Sequence, residues 1–126
     1  MNETAANTDM YVRFTVRDTA GAVIDLTGAV GIVIGIYQSV GSIIKKYSKV
    51  VATGYDTIEI IDAVNGLVEI YIPRSVTRSL ISGDLMAELK INEEDVDAED
   101  GFFHTGSQGV FITKIKASVL RDVQVP

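Results

Sequence analysis

Side-chain branching constrains this chain more than any motif does: valine and isoleucine number 31 against 6 leucines in 126 residues. Branching at Cβ suits a pleated surface and loses rotamer freedom in a helix, so the composition predicts an all-β domain. The length is one domain's worth and buries a core without staples. Cysteine is absent, which excludes disulfides, thiolate nucleophiles and cysteine-bound metal centres.

Alternation and turn residues divide the chain. Residues 1–10 offer no apolar period and read as a loose N-terminal tail. Val12, Phe14 and Val16 then alternate with Arg13, Thr15 and Arg17, the pattern of a half-buried strand. Asp18 to Gly21 reads as a turn, with a short strand expected around Val23 to Asp25. From Val30 to Gln38 both faces are apolar, so this strand is central or covered on its outer side. Ile43 to Val51 mixes lysines with apolar residues, as an edge strand does. Thr57 to Asp62 and Leu67 to Ile72 flank the Asn65-Gly66 pair and predict a hairpin. Pro73 fits the start of a helix, so Ser75 to Ile81 reads as a short helical turn with Val76 and Leu80 inward and Gly83 ending it. Leu85, Leu89 and Ile91 mark the cleanest one-sided strand. After an acidic loop, Phe102 to Thr105 and Gly109 to Lys116 supply the last strand or strand pair, with Phe111 and Ile115 on one face.

These are seven to nine short strands at regular spacing, the sequence sign of a sandwich or a barrel. Residues 11–117 form the expected domain, and 118–126 a final short strand or a linker. The expected core is Val12, Phe14, Ile32, Ile34, Ile36, Val68, Ile70, Ile72, Leu85, Leu89 and Phe111.

The net charge of −6 is local. Glu93, Glu94, Asp95, Asp97, Glu99 and Asp100 carry six carboxylates within eight residues, leaving 11 acids and 11 bases elsewhere. With Lys45, Lys46 and Lys49 as the one close basic cluster, no stripe offers phosphates a footing, and nucleic acid is not an expected partner. The longest apolar stretch, Gly28 to Tyr37, is about half the ~20 residues a membrane helix needs. Met1 to Asp9 matches neither a signal nor a transit peptide, so the expectation is an intracellular protein without a membrane partner.

Few residues suggest chemistry. Asp95 to Gly101 places carboxylates at alternate positions, loosely as in a calcium-binding EF-hand loop, but its glycine comes one place late and Gly106 stands where the bidentate Glu belongs. A solvated hairpin loop, or an acidic docking surface for a basic partner, is the expectation, with no metal. His104 is the single histidine; pairing with Ser107 as base and nucleophile lacks a third, orienting residue. The glycines between Gly101 and Gly109 lack the Lys-Ser/Thr ending of a phosphate loop. No catalytic residue and no cofactor are expected. Tyr37, Tyr47, Tyr55 and Tyr71 suit either core-edge packing or an aromatic platform for carbohydrate or a partner. Gly31, Val33, Gly35 and Tyr37 share one face on which missing side chains leave room for another backbone. That face suits either twist relief within the domain or a protein contact.

From Thr27-Gly28 to Ile91 the chain resembles the immunoglobulin-like domains of bacteriophage tail and baseplate proteins, notably the N-terminal module of baseplate upper proteins. The likeness rests on the opening Asp25-Leu26-Thr27-Gly28-Ala29 before an apolar strand, and on Asn65-Gly66 before a strand ending in Ile72-Pro73. The turn from Ser75 to Gly83 that leads into the next strand completes it. The acidic insertion before Phe102, and an end soon after the domain, depart from the family pattern. The resemblance implies an immunoglobulin-like β-sandwich and a non-enzymatic virion component of the tail, baseplate or neck, assembled in the bacterial cytoplasm. Its implied partners are further copies of itself and other virion structural proteins. The alternative expectation is a stand-alone carbohydrate- or peptide-binding sandwich module.

Overall fold

The computed structural model describes residues 3–116, together with Val123 and Val125. Among the described residues, ten strands and one short helix run in the order β1 (Glu3–Ala5), β2 (Met10–Thr15), β3 (Gly31–Ser39), β4 (Ser42–Ser48), β5 (Asp56–Thr57), β6 (Glu59–Asp62), β7 (Leu67–Ile72), α1 (Arg74–Thr77), β8 (Gly83–Glu94), β9 (Phe102–Gly106) and β10 (Val110–Lys116). They form two sheets packed as a β-sandwich. The larger has the order β1-β10-β8-β3-β4-β5 with β9 also on β8, and the smaller has the order β2-β7-β6.

The alternation in the sequence dictates which side chains meet between the sheets. Ile32, Ile34 and Ile36 of β3, Leu85, Ala87 and Leu89 of β8, and Val68, Ile70 and Ile72 of β7 are buried together. The chain passes from the large sheet to the small one between β1 and β2, and again between β5 and β6. Each crossing joins an edge of one sheet to an edge of the other.

Several expectations change. The N-terminal segment is not a loose tail throughout, because Glu3–Ala5 pairs in parallel with β10. The strand expected at Val23 to Asp25 is a single bridge between Arg17 and Val23. The helical turn is shorter than expected at Arg74–Thr77, although Leu80 beyond it is buried and Val76 packs on the core. Val12 is partly buried against the core. Phe111 is not a core residue: it is 42% exposed, while Ile112 is buried. The pairing of β10 with β8 shifts register between Phe111 and Thr113, so Ile112 and Thr113 both turn inward and strict alternation fails there. The expected strand or linker at 118–126 lies outside the described residues, save Val123 and Val125.

The Asn65-Gly66 hairpin forms as read, and glycine is required in it. Gly66 has φ +64, and a Cβ there would stand 2.6 Å from the Ile24 carbonyl oxygen and 3.1 Å from that of Val16. The turn is also bonded to the chain beneath it, with the Val16 N–H donating to the Gly66 carbonyl at 2.8 Å.

Candidate functional site

The outer face of the large sheet carries a groove of about 550 Å³. β3 supplies its floor: with Ile32, Ile34 and Ile36 pointing into the core, Val33, Gly35 and Tyr37 must point out. A register shift between Ile36 and Tyr37 in the pairing with β4 sets Ile43 opposite Tyr37, on the same outer face. The result is an apolar strip with Val33 37%, Ile43 61% and Val40 92% exposed.

The groove has a polar rim. Lys46 of β4 and Glu88 and Lys90 of β8 stand along it, and His104 and Thr105 of β9 form the far wall. β9 reaches that position because β8, at twelve residues, is long enough to pair with β10 along one half of an edge and with β9 along the other. Lys46 holds its Nζ 4.6 Å from the centre of the Tyr55 ring, a cation–π contact that fixes the charge at the rim. Tyr37 leans across the sheet, and a Cβ on Gly109 would stand 2.8 Å from its hydroxyl. Burial, with Glu88 adding to it, raises the Tyr37 phenol above the ordinary tyrosine range, so it stays neutral.

The structure thus brings Gly31, Val33, Gly35 and Tyr37 onto one face, and two of them are partly covered from within the domain. A Cβ on Gly31 would stand 2.7 Å from Asn92 Oδ1, and one on Gly35 would stand 3.5 Å from the Ile43 side chain. The open surface is centred on Val33, Tyr37 and Ile43. Sequence reading missed Ile43 and Val40 because the register shift that turns Ile43 outward is a property of the paired strands.

The remaining candidates are dispersed. Glu93 and Glu94 end β8, and Asp95 to Asp100 form turns beyond it. Asp95 Oδ1 accepts from the Asp97 N–H at 3.0 Å, and Asp100 Oδ1 accepts from the Phe102 N–H at 3.0 Å. Asp100 Oδ2 lies 2.9 Å from His104 Nε2. That bond, with the backbone one, holds the Asp100 carboxyl below its usual range. Among the described residues no three acidic or histidine side chains gather as a metal site. His104 does have an orienting carboxylate, Asp100, which the sequence did not mark, but among the described residues it makes no hydrogen bond to Ser107, whose hydroxyl accepts from the Leu89 N–H at 2.9 Å and donates to the Gln108 carbonyl at 2.9 Å.

Nor do the tyrosines make one platform. Tyr47 is fully buried, with its hydroxyl on the Tyr71 carbonyl at 2.7 Å, Tyr37 lines the groove, Tyr55 meets Lys46, and Tyr71 lies on the other sheet beside Tyr11. No family model matches the chain, and no curated protein matches it.

Proposed function

We propose that this protein is a non-enzymatic structural component of a bacteriophage virion, in the tail, baseplate or neck, that works by protein–protein assembly through the outer face of its large sheet. The observation that carries the reading is the exposed strip of Val33, Ile43 and Val40 beside Tyr37. Apolar side chains contiguous on one sheet face and rimmed by charge suit an interface better than a solvated wall. The phage assignment draws its support from the resemblance carried by Asp25 to Ala29, Asn65-Gly66 and Ile72-Pro73. The partners it implies are further copies of the chain and neighbouring virion proteins.

Light scattering on the wild type and on Val33→Glu tests the reading. An assembled wild type that the variant disperses, with circular dichroism unchanged, is the expected result, because the new carboxylate, even with Lys90 opposite it, would have to be desolvated in an apolar contact. An assembly the variant leaves intact would move the contact elsewhere. A wild type that stays monomeric would favour a stand-alone carbohydrate- or peptide-binding module.

A further inference from the structure

The small sheet presents a second surface, on the opposite side of the sandwich from the groove. Val12 and Phe14 of β2, and Val68, Ile70 and Ile72 of β7, point into the core, so Tyr11, Arg13, Glu69 and Tyr71 point out. The antiparallel register sets Tyr11 directly opposite Tyr71 and Arg13 directly opposite Glu69. The two rings lie 4.9 Å apart at an interplanar angle of 34°, and Arg13 Nε donates to Glu69 Oε2 at 2.6 Å. An aromatic rung therefore stands next to an ion-paired rung.

Beside these rungs the sheet is notched. β6 pairs with β7 only as far as Glu69, and beyond that point the departing chain leaves a cleft of about 370 Å³. Tyr11, Tyr71, Glu59, Glu69 and Thr57 line it. The aromatic side is pre-organised: the Tyr71 hydroxyl donates to Asp9 Oδ1 at 2.8 Å, and the Arg74 N–H donates to the same oxygen at 2.7 Å. Tyr11, by contrast, is 73% exposed. Among the described residues neither its hydroxyl nor the Glu59 carboxylate makes a side-chain hydrogen bond.

We propose that this notch binds a neutral oligosaccharide, stacking one sugar ring on Tyr11 and accepting hydrogen bonds from its hydroxyls at Glu59 and Glu69. The chemistry selects that class. Tyrosine offers an apolar face for sugar C–H groups and a polar tip for hydroxyls. With the carboxylates of Glu69 and Asp9 paired to Arg13 and Arg74, the net negative charge left at Glu59 disfavours phosphates and acidic sugars. A simple organic cation is disfavoured because Arg13 and Arg74 already pair with those two carboxylates. A purely apolar segment would leave Glu59 and the Tyr11 hydroxyl desolvated without partners. The site is independent of the assembly face, and Val33→Glu does not touch it.

The test is titration of the 15N-labelled protein with hexasaccharides built from glucose, N-acetylglucosamine, galactose or rhamnose, followed by amide chemical shifts. At least one should give saturable shifts centred on residues 11, 59, 69 and 71. Tyr11→Ala, whose side chain is outside the core, should weaken that binding by about tenfold or more. Glu59→Ala should weaken it while leaving the spectrum of the free protein otherwise unchanged, and Val33→Glu should leave it intact. Three results would each overturn the proposal: no saturable shift with any of the four at millimolar concentration, binding indifferent to both substitutions, or tetramethylammonium producing the shifts that the sugars do not.

Discussion

The hydroxyl of Tyr47 on β4 donates to the backbone carbonyl of Tyr71 on β7 at 2.7 Å, a polar bond that joins the two sheets through the core. The Tyr71 carbonyl lies beyond the last residue that β6 reaches, so the phenol replaces a ladder partner. Tyr47→Phe keeps the ring and removes the bond, and should lower stability by ~1 kcal/mol in urea titration. Burial, reinforced by Asp56, pushes the Tyr47 phenol well above the ordinary range. The folded state therefore favours the neutral form. The stability this contributes is complete below the unfolded pKa of about 10 and is lost as pH rises beyond it. The wild type should lose more stability than Tyr47→Phe between neutral and strongly alkaline pH; equal losses would contradict the burial argument.

Gly66 and Gly21 separate two costs of adding a side chain. Both have positive φ, +64 and +92, but a Cβ on Gly21 meets nothing within 4 Å while one on Gly66 meets two backbone carbonyls. Gly21→Ala should cost on the order of 1 kcal/mol, the left-handed penalty alone. Gly66→Ala should exceed that clearly, because backbone at 2.6 Å must shift. Thermal unfolding of the two variants side by side decides it, and equal losses would mean the turn relaxes freely.

In the core, Ile34→Ala and Leu89→Ala should each cost ~2–5 kcal/mol, as full truncations of buried chains do. Ile112→Ala should fall in the same class, and Phe111→Ala near the ~0.5 kcal/mol of a surface change. A large loss at Phe111 would place the register shift of β10 elsewhere.

That last pair marks how far the sequence was legible. Alternation is a local property, so it revealed the inward faces of β3, β7 and β8 without any knowledge of partners. The shifts at Phe111 and at Tyr37 arise from how two strands pair, and nothing local announces them. The same limit hid β1, three residues with no apolar period of their own that are ordered by the edge of β10. It also hid the Tyr11–Tyr71 rung: both tyrosines are plain in the sequence, but their opposition is set by register. Part of the outer groove was readable, because Val33 and Tyr37 lie on a strand apolar on both sides. Its walls from β4 and β9 were not.

Calcium should bind the acidic loop no more tightly than other surface carboxylates. Asp95 and Asp100 already accept backbone N–H groups within the loop, and an oxygen cage would have to displace those bonds while gathering mutually repelling carboxylates. Calorimetry should give no micromolar single-site isotherm. One that disappears in the Asp95→Ala, Asp97→Ala double variant would refute this.

Ser107 offers the sharpest local test, because its side chain does the work of a backbone group. Between β9 and β10 the partner of β8 is interrupted at residues 107–109. There the Ser107 N–H donates to the Leu89 carbonyl at 2.8 Å, while the Ser107 hydroxyl, not a carbonyl, accepts from the Leu89 N–H at 2.9 Å in a buried contact. Ser107→Ala strands that N–H beside the core, where an unsatisfied donor costs ~1–3 kcal/mol. Amide hydrogen exchange should speed up at Leu89 well beyond the change in global stability, since the lost bond is local. Ser107→Thr, which retains the hydroxyl, should restore most of the protection. If Leu89 exchanges at the same rate in the alanine variant, the hydroxyl is not its acceptor and the two strands are joined at this break by the Ser107 N–H alone.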